Sequence, residues 1–164
     1  MIRSATGHVL AVTAFFATAV PGAAQPALSL EFDGVAHDFV PMMEGARTGF
    51  TRFLSVDTLS IEGVDDPARL VLEFALPPGA RTGDQPHDAR ISFRPDGFRD
   101  YWVSPPEFPE GAVVIDHLEL SGPSPRIAGR FRVSLCFTPT PIHLPDPAHC
   151  LPASGRFDTA LVQG

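Results

Sequence analysis

Apolar residues along most of this chain recur at every second position, in short runs cut by turn-forming residues. Leu28, Leu30 and Phe32 share one face of residues 28–32. Leu70, Leu72, Phe74 and Leu76 do the same in 69–76, and Phe131, Val133, Leu135 and Phe137 in 127–137. Period two marks a strand with one side in a core, whereas a helix repeats near 3.6. Asp33-Gly34, residues 65–68, Pro77-Pro78-Gly79 and Pro95-Asp96-Gly97 punctuate the runs with turns. Further strands are expected at 35–40, 52–63, 90–94, 98–104, 112–120 and 155–162. In 52–63 the phase changes between Leu54/Val56 and Leu59/Ile61, which predicts a bulge or break near Asp57. Residues 41–50 and 79–89 read as loops, and the prolines of 105–111 bar that stretch from a central strand. Eight or nine short strands with no helical stripe predict an all-β chain: an antiparallel β-sandwich, with a small β-barrel as the alternative.

The first 24 residues follow another pattern. Arg3 precedes the apolar run 8–20, and small residues end at Ala24. This is the layout of a secretory signal peptide cleaved after Ala24. The apolar run is too short for the roughly 20 residues of a spanning helix. A single all-β domain, residues 25–164, is then expected in the periplasm or outside the cell, with no membrane span after cleavage. The net charge of −7 becomes −8 without residues 1–24, whose one charged side chain is Arg3. Such a domain repels phosphate backbones, which argues against nucleic acid as a partner. All 12 cationic side chains are arginine, and the chain has neither Lys nor Asn. Avoiding both is what a GC-rich coding sequence does, which points to a bacterial source.

The two cysteines, Cys136 and Cys150, lie near the C-terminus between two copies of Gly-Arg-Phe, 129–131 and 155–157. Alternation puts Phe131 and Phe157 inward and Arg130, Arg132, Arg156 and Asp158 outward. If the two strands pair, Asp158 shares a face with Arg130 and Arg132. The connection 138–154 is long for a compact domain and carries Pro139, Pro141, Pro145, Pro147 and Pro152. In an oxidising compartment the cysteines pair most simply as a disulfide. That bridge removes roughly 3 kcal/mol of unfolded-state freedom in the chain-entropy model. The competing reading is a metal site adding His143 and His149, but C-x6-H-x5-H-C matches no compact knuckle.

Tyr101 and Trp102 are the single Tyr and Trp of the chain. With Phe98, Arg99 and the nearby Phe108 they form a candidate binding surface. The competing role is a core Trp with Tyr at its edge. His37 with Met42 and Met43 fits no recurrent copper motif, and Asp65-Asp66, Asp84 and Asp88 lack a calcium-loop pattern. His117 reads as a structural histidine within a strand. No G-x-S-x-G, H-E-x-x-H, P-loop or G-x-G-x-x-G occurs, so no catalytic residue and no cofactor is implied.

Five segments, "LSIEG" (59–63), "LVLEFALPPG" (70–79), "GAVVIDHLEL" (111–120), "RIAGRFRVSL" (126–135) and "GRFDTAL" (155–161), resemble uncharacterised secreted bacterial β-sandwich proteins. The resemblance implies an exported all-β domain and supplies no ligand residues. Taken together, these features lead us to expect a non-enzymatic binding domain of the bacterial envelope. Its partner would be a protein, an envelope component or a small ligand. An enzyme with an unrecognised site and a structural subunit of an envelope assembly are the rival readings.

Overall fold

The computed structural model describes residues 27–53, 56–107, 109–140 and 143–164. The expected signal peptide, Leu54, Phe108 and Pro141 lie outside the described residues. The strands are β1 (Ala27–Phe32), β2 (Val35–Pro41), β3 (Gly49–Phe53), β4 (Val56–Asp65), β5 (Ala68–Leu76) and β6 (Asp88–Arg94). They continue with β7 (Tyr101–Val103), β8 (Val113–Glu119), β9 (Arg126–Thr138), β10 (Cys150–Ala160) and β11 (Val162–Gln163). A 3-10 turn, Glu44–Ala46, precedes β3.

The favoured sandwich is corrected to its alternative. Eight strands close in the order β4-β2-β1-β10-β9-β7-β6-β5 and back to β4. Two long strands make closure possible, because each gives one edge to two neighbours. β4 takes β5 along one edge, and β3 and then β2 along the other. β9 takes β10 along one edge, and β8 and then β7 along the other. Closure satisfies backbone groups that an open sheet would leave at its edges. β8 lies outside the ring, and the 79–87 loop covers its free edge: Gly83 N–H donates to Ile115 O, and Leu118 N–H to Thr82 Oγ1.

The alternating apolar faces meet inside as one core, running from Leu28 and Leu30 through Ile61, Leu72, Phe93 and Leu135 to Phe157 and Leu161. The Asp33-Gly34 turn forms as expected, with φ of 49° and 77° at its two residues, the left-handed pair that a two-residue hairpin requires.

Other boundaries move. Of the bulge or break expected near Asp57, the break is what forms: 52–63 divides into β3, ending at Phe53, and β4, starting at Val56, which pair as a hairpin with Arg52 opposite Asp57. Asp57 faces inward and is buried, and the Arg52 guanidinium meets its carboxylate through two bonds of 2.7 and 3.0 Å. That pairing lets an acid occupy a core-facing position. Segment 98–104 is strand at 101–103 alone, because Asp96 Oδ1 accepts both the Phe98 and Arg99 N–H groups and holds the chain in a turn. The 138–154 connection shortens to 139–149, since β10 begins at Cys150. Pro152 fits within β10: its carbonyl accepts from Asp33 N–H at the β1–β2 turn. Its missing donor faces the same side, where no strand remains to receive it.

The two Gly-Arg-Phe copies lie antiparallel across the β9–β10 ladder. Gly129 is opposite Phe157, Arg130 opposite Arg156, and Phe131 opposite Gly155. Each Phe ring covers the opposite glycine. A Cβ on Gly155 would come within 2.1 Å of Ser29 O and 2.5 Å of Phe131 Cζ. One on Gly129 would meet Val114 O at 2.3 Å and Phe157 Cζ at 2.5 Å. Glycine at each crossing is a close-approach requirement.

Candidate functional site

Four connections gather at one end of the barrel: β1–β2, β4–β5, β6–β7 and β9–β10. An aromatic stack closes this end. The Trp102 ring sits 5.0 Å from Phe32, 5.7 Å from Phe137 and 5.2 Å from His149. Phe93 and His37 extend the stack inward, with His37 also 3.7 Å from Asp65.

The four residues of the expected binding surface separate here. Trp102 is half-buried and packs on the core. Tyr101 alternates away from it, with the Arg94 guanidinium 5.5 Å above its ring. Phe98, 86% exposed, projects with exposed Arg99 from the Asp96-braced turn. On the neighbouring β9–β10 loop Leu144 is 89% exposed. The two loops emerge side by side, because Tyr101 pairs with Thr138. Sequence reasoning missed Leu144; a lone leucine amid prolines carried no period.

The 139–149 loop is tied down from both ends. Cys136 and Cys150 are directly opposite in the ladder and joined as a disulfide. Phe137 N–H donates to His149 O, Asp146 N–H to Phe137 O, and Thr138 Oγ1 to Thr140 O. His143 hydrogen-bonds Thr140 through Nδ1, and His149 stacks on Trp102 and Phe137. With both sulfurs in the disulfide, the metal alternative of His143 and His149 loses its thiolates. Among the described residues no group of three or more His, Cys, Asp or Glu is placed to hold a metal. Elsewhere, Met42 Sδ accepts from Arg69, Met43 is exposed and Asp84 accepts from Arg81 N–H. His117 is exposed beyond a bulge between Ile115 and His117.

A second surface lies on the outer side of β2, β1, β10, β9 and β8, in a depression of about 670 Å³. The register lays out its floor. One row runs Asp38, Ser29, Arg156, Arg130; the next runs Glu31, Ser154, Arg132. Arg130 is held by Asp116 on β8. Further along the ladder Asp158 binds Arg126 at 2.7 and 2.8 Å, rather than Arg130 or Arg132. That hydrogen bonding and charge raise the Arg126 pKa above its ordinary value, and Asp57 does the same for Arg52. Arg132 and Arg156 have no carboxylate partner among the described residues.

The fold and these two surfaces define a small closed antiparallel barrel with a stapled, aromatic end and a charged outer depression. Compared with protein-family models, curated proteins and solved structures, the chain gives no match.

Proposed function

We propose that this is an exported, non-enzymatic binding domain of the bacterial envelope that engages its partner through the stapled end of the barrel. The observation that carries the reading is that Phe98 and Leu144, two almost fully exposed apolar side chains, stand on adjacent loops. Both loops are braced, one by Asp96 and the other by the Cys136–Cys150 bridge. Presenting apolar anchors on pre-ordered loops reduces the ordering entropy lost on binding. The disulfide is consistent with an oxidising compartment. The signal-peptide pattern of residues 1–24 and the resemblance to secreted proteins support export. Among the described residues no helix is long and apolar enough to cross a membrane.

The test compares wild type with Phe98→Ser/Leu144→Ser as bait in an envelope extract, with bound material identified by mass spectrometry. A component retained by wild type and lost by the folded variant supports the reading. Identical retention by both would exclude this end as the contact.

A further inference from the structure

The outer depression carries a separate inference. In this acidic chain, Arg130 and Arg156 lie directly opposite one another across the β9–β10 ladder. Like charges in that relation are destabilising. Aspartates relieve the flanks: Asp116 engages Arg130, and Asp158 engages Arg126 in a bidentate pair. The centre is left unrelieved, for neither Arg156 nor its diagonal neighbour Arg132 has a carboxylate partner among the described residues. Both side chains are exposed, so water compensates them in the free protein. Two guanidinium forks side by side are built to receive oxyanions in bidentate fashion.

The opposite wall says what else the ligand carries. Glu31 and Asp38 stand across the depression from the arginines, with Ser29 and Ser154 between them on the floor. With strands about 4.8 Å apart, Glu31 on β1 lies about 10 Å across the sheet from Arg132 on β9. A polyanion such as a nucleic acid would meet carboxylates on that wall. A ligand with one acidic group and several hydroxyl donors satisfies both walls. The volume, about 670 Å³, is in the range of small-ligand sites.

We infer that the depression on the outer face of β1, β10 and β9 binds a short acidic saccharide. Its carboxylate is received by Arg132 and Arg156, and its hydroxyls donate to Glu31, Asp38 and the serines. Arg130, held by Asp116, positions the pair by restricting where Arg156 can lie. This site is distinct from the stapled end and does not depend on its role.

The test is calorimetric titration of the purified protein at low salt. The probes are acidic disaccharides carrying galacturonate, glucuronate or sialate, their neutral counterparts, and tripolyphosphate. At least one acidic disaccharide should bind, and the matching neutral sugar should not. Arg132→Ala and Arg156→Ala should each weaken that binding tenfold or more. Raising the salt should weaken it too, since screening acts on exposed charges. Binding by none of the acidic sugars, equal binding by the variants, or tighter binding of tripolyphosphate would each overturn the inference. The melting temperature of Arg156→Ala separates a binding role from a structural one. Relief of the like-charge pair should leave it unchanged or raise it by about 1–3 °C. A fall of several degrees would overturn the inference independently of any ligand.

Discussion

Arg126 and Arg156 stand on the same outward face of the same two-stranded ladder, and the fold treats them differently. Arg126, at the start of β9, is gripped through two hydrogen bonds by Asp158, and the two side chains shield each other in part. Arg156, two residues before that aspartate, faces Arg130 with no carboxylate of its own among the described residues. One arginine contributes to the register of the ladder. The other stands opposite a like charge, Arg130, which Asp116 engages from β8. The same Gly-Arg-Phe copies that make a demanding Phe-over-Gly crossing on the inner side carry Arg130 and Arg156 on the outer side. Within six residues, packing explains one face and leaves the other to function.

The contrast can be broken most forcefully from the inside. Gly155→Val or Gly129→Val puts a side chain where backbone and a Phe ring already stand. Overpacking with no room to relax should cost about 3 kcal/mol or more, read as a lower urea midpoint or loss of soluble protein. A mild effect would mean that the crossing is loose, and that the repeat is not held by packing.

Removing the staple comes next. Cys136→Ser/Cys150→Ser should lower stability by about 2–3 kcal/mol in a thermal melt. The residues are opposite within an existing ladder, so the fold itself should survive. An unchanged melt would show that the loop's hydrogen bonds hold it without the bridge. Denatured, unreduced protein should show no free thiol on titration.

The smallest effects sharpen the comparison most. Arg126→Ser should destabilise by a few tenths of a kcal/mol up to about 1, the range for a partly exposed ion pair. Arg156→Ser should be neutral or stabilising by a few tenths.

Period-two alternation made the strands legible, from Leu28-Leu30-Phe32 to Phe131-Val133-Leu135, because each needs one apolar face whichever neighbour it has. Closure was not legible. It depends on β4 and β9 each sharing an edge between two partners, a long-range choice that alternation does not encode. The phase change near Asp57 marked a real break, the β3–β4 hairpin; the inward place of Asp57 was not legible, because its partner Arg52 lies across that hairpin. The start of β10 was hidden by Pro152, whose missing donor matters only where a neighbouring strand would receive it. Of the two surfaces, Phe98, Arg99, Tyr101 and Trp102 were visible as a cluster, but alternation divides their side chains between inside and outside. The outward placement of Arg130, Arg132 and Arg156 was readable. Their confrontation was within reach as well, since a disulfide between opposite cysteines sets the register. Six residues back from Cys136 is Arg130, and six on from Cys150 is Arg156.

The charge at the centre of the ladder belongs either to the fold or to a ligand. The most direct measurement is paired urea unfolding of Arg126→Ser and Arg156→Ser at low salt and at 0.5 M NaCl. At low salt the two variants should move in opposite directions or, at the least, Arg126→Ser alone should lose stability. The difference between them should shrink as salt screens the exposed charges. If Arg156→Ser loses as much stability as Arg126→Ser at both salt concentrations, Arg156 belongs to the fold, and the binding site proposed around it is wrong.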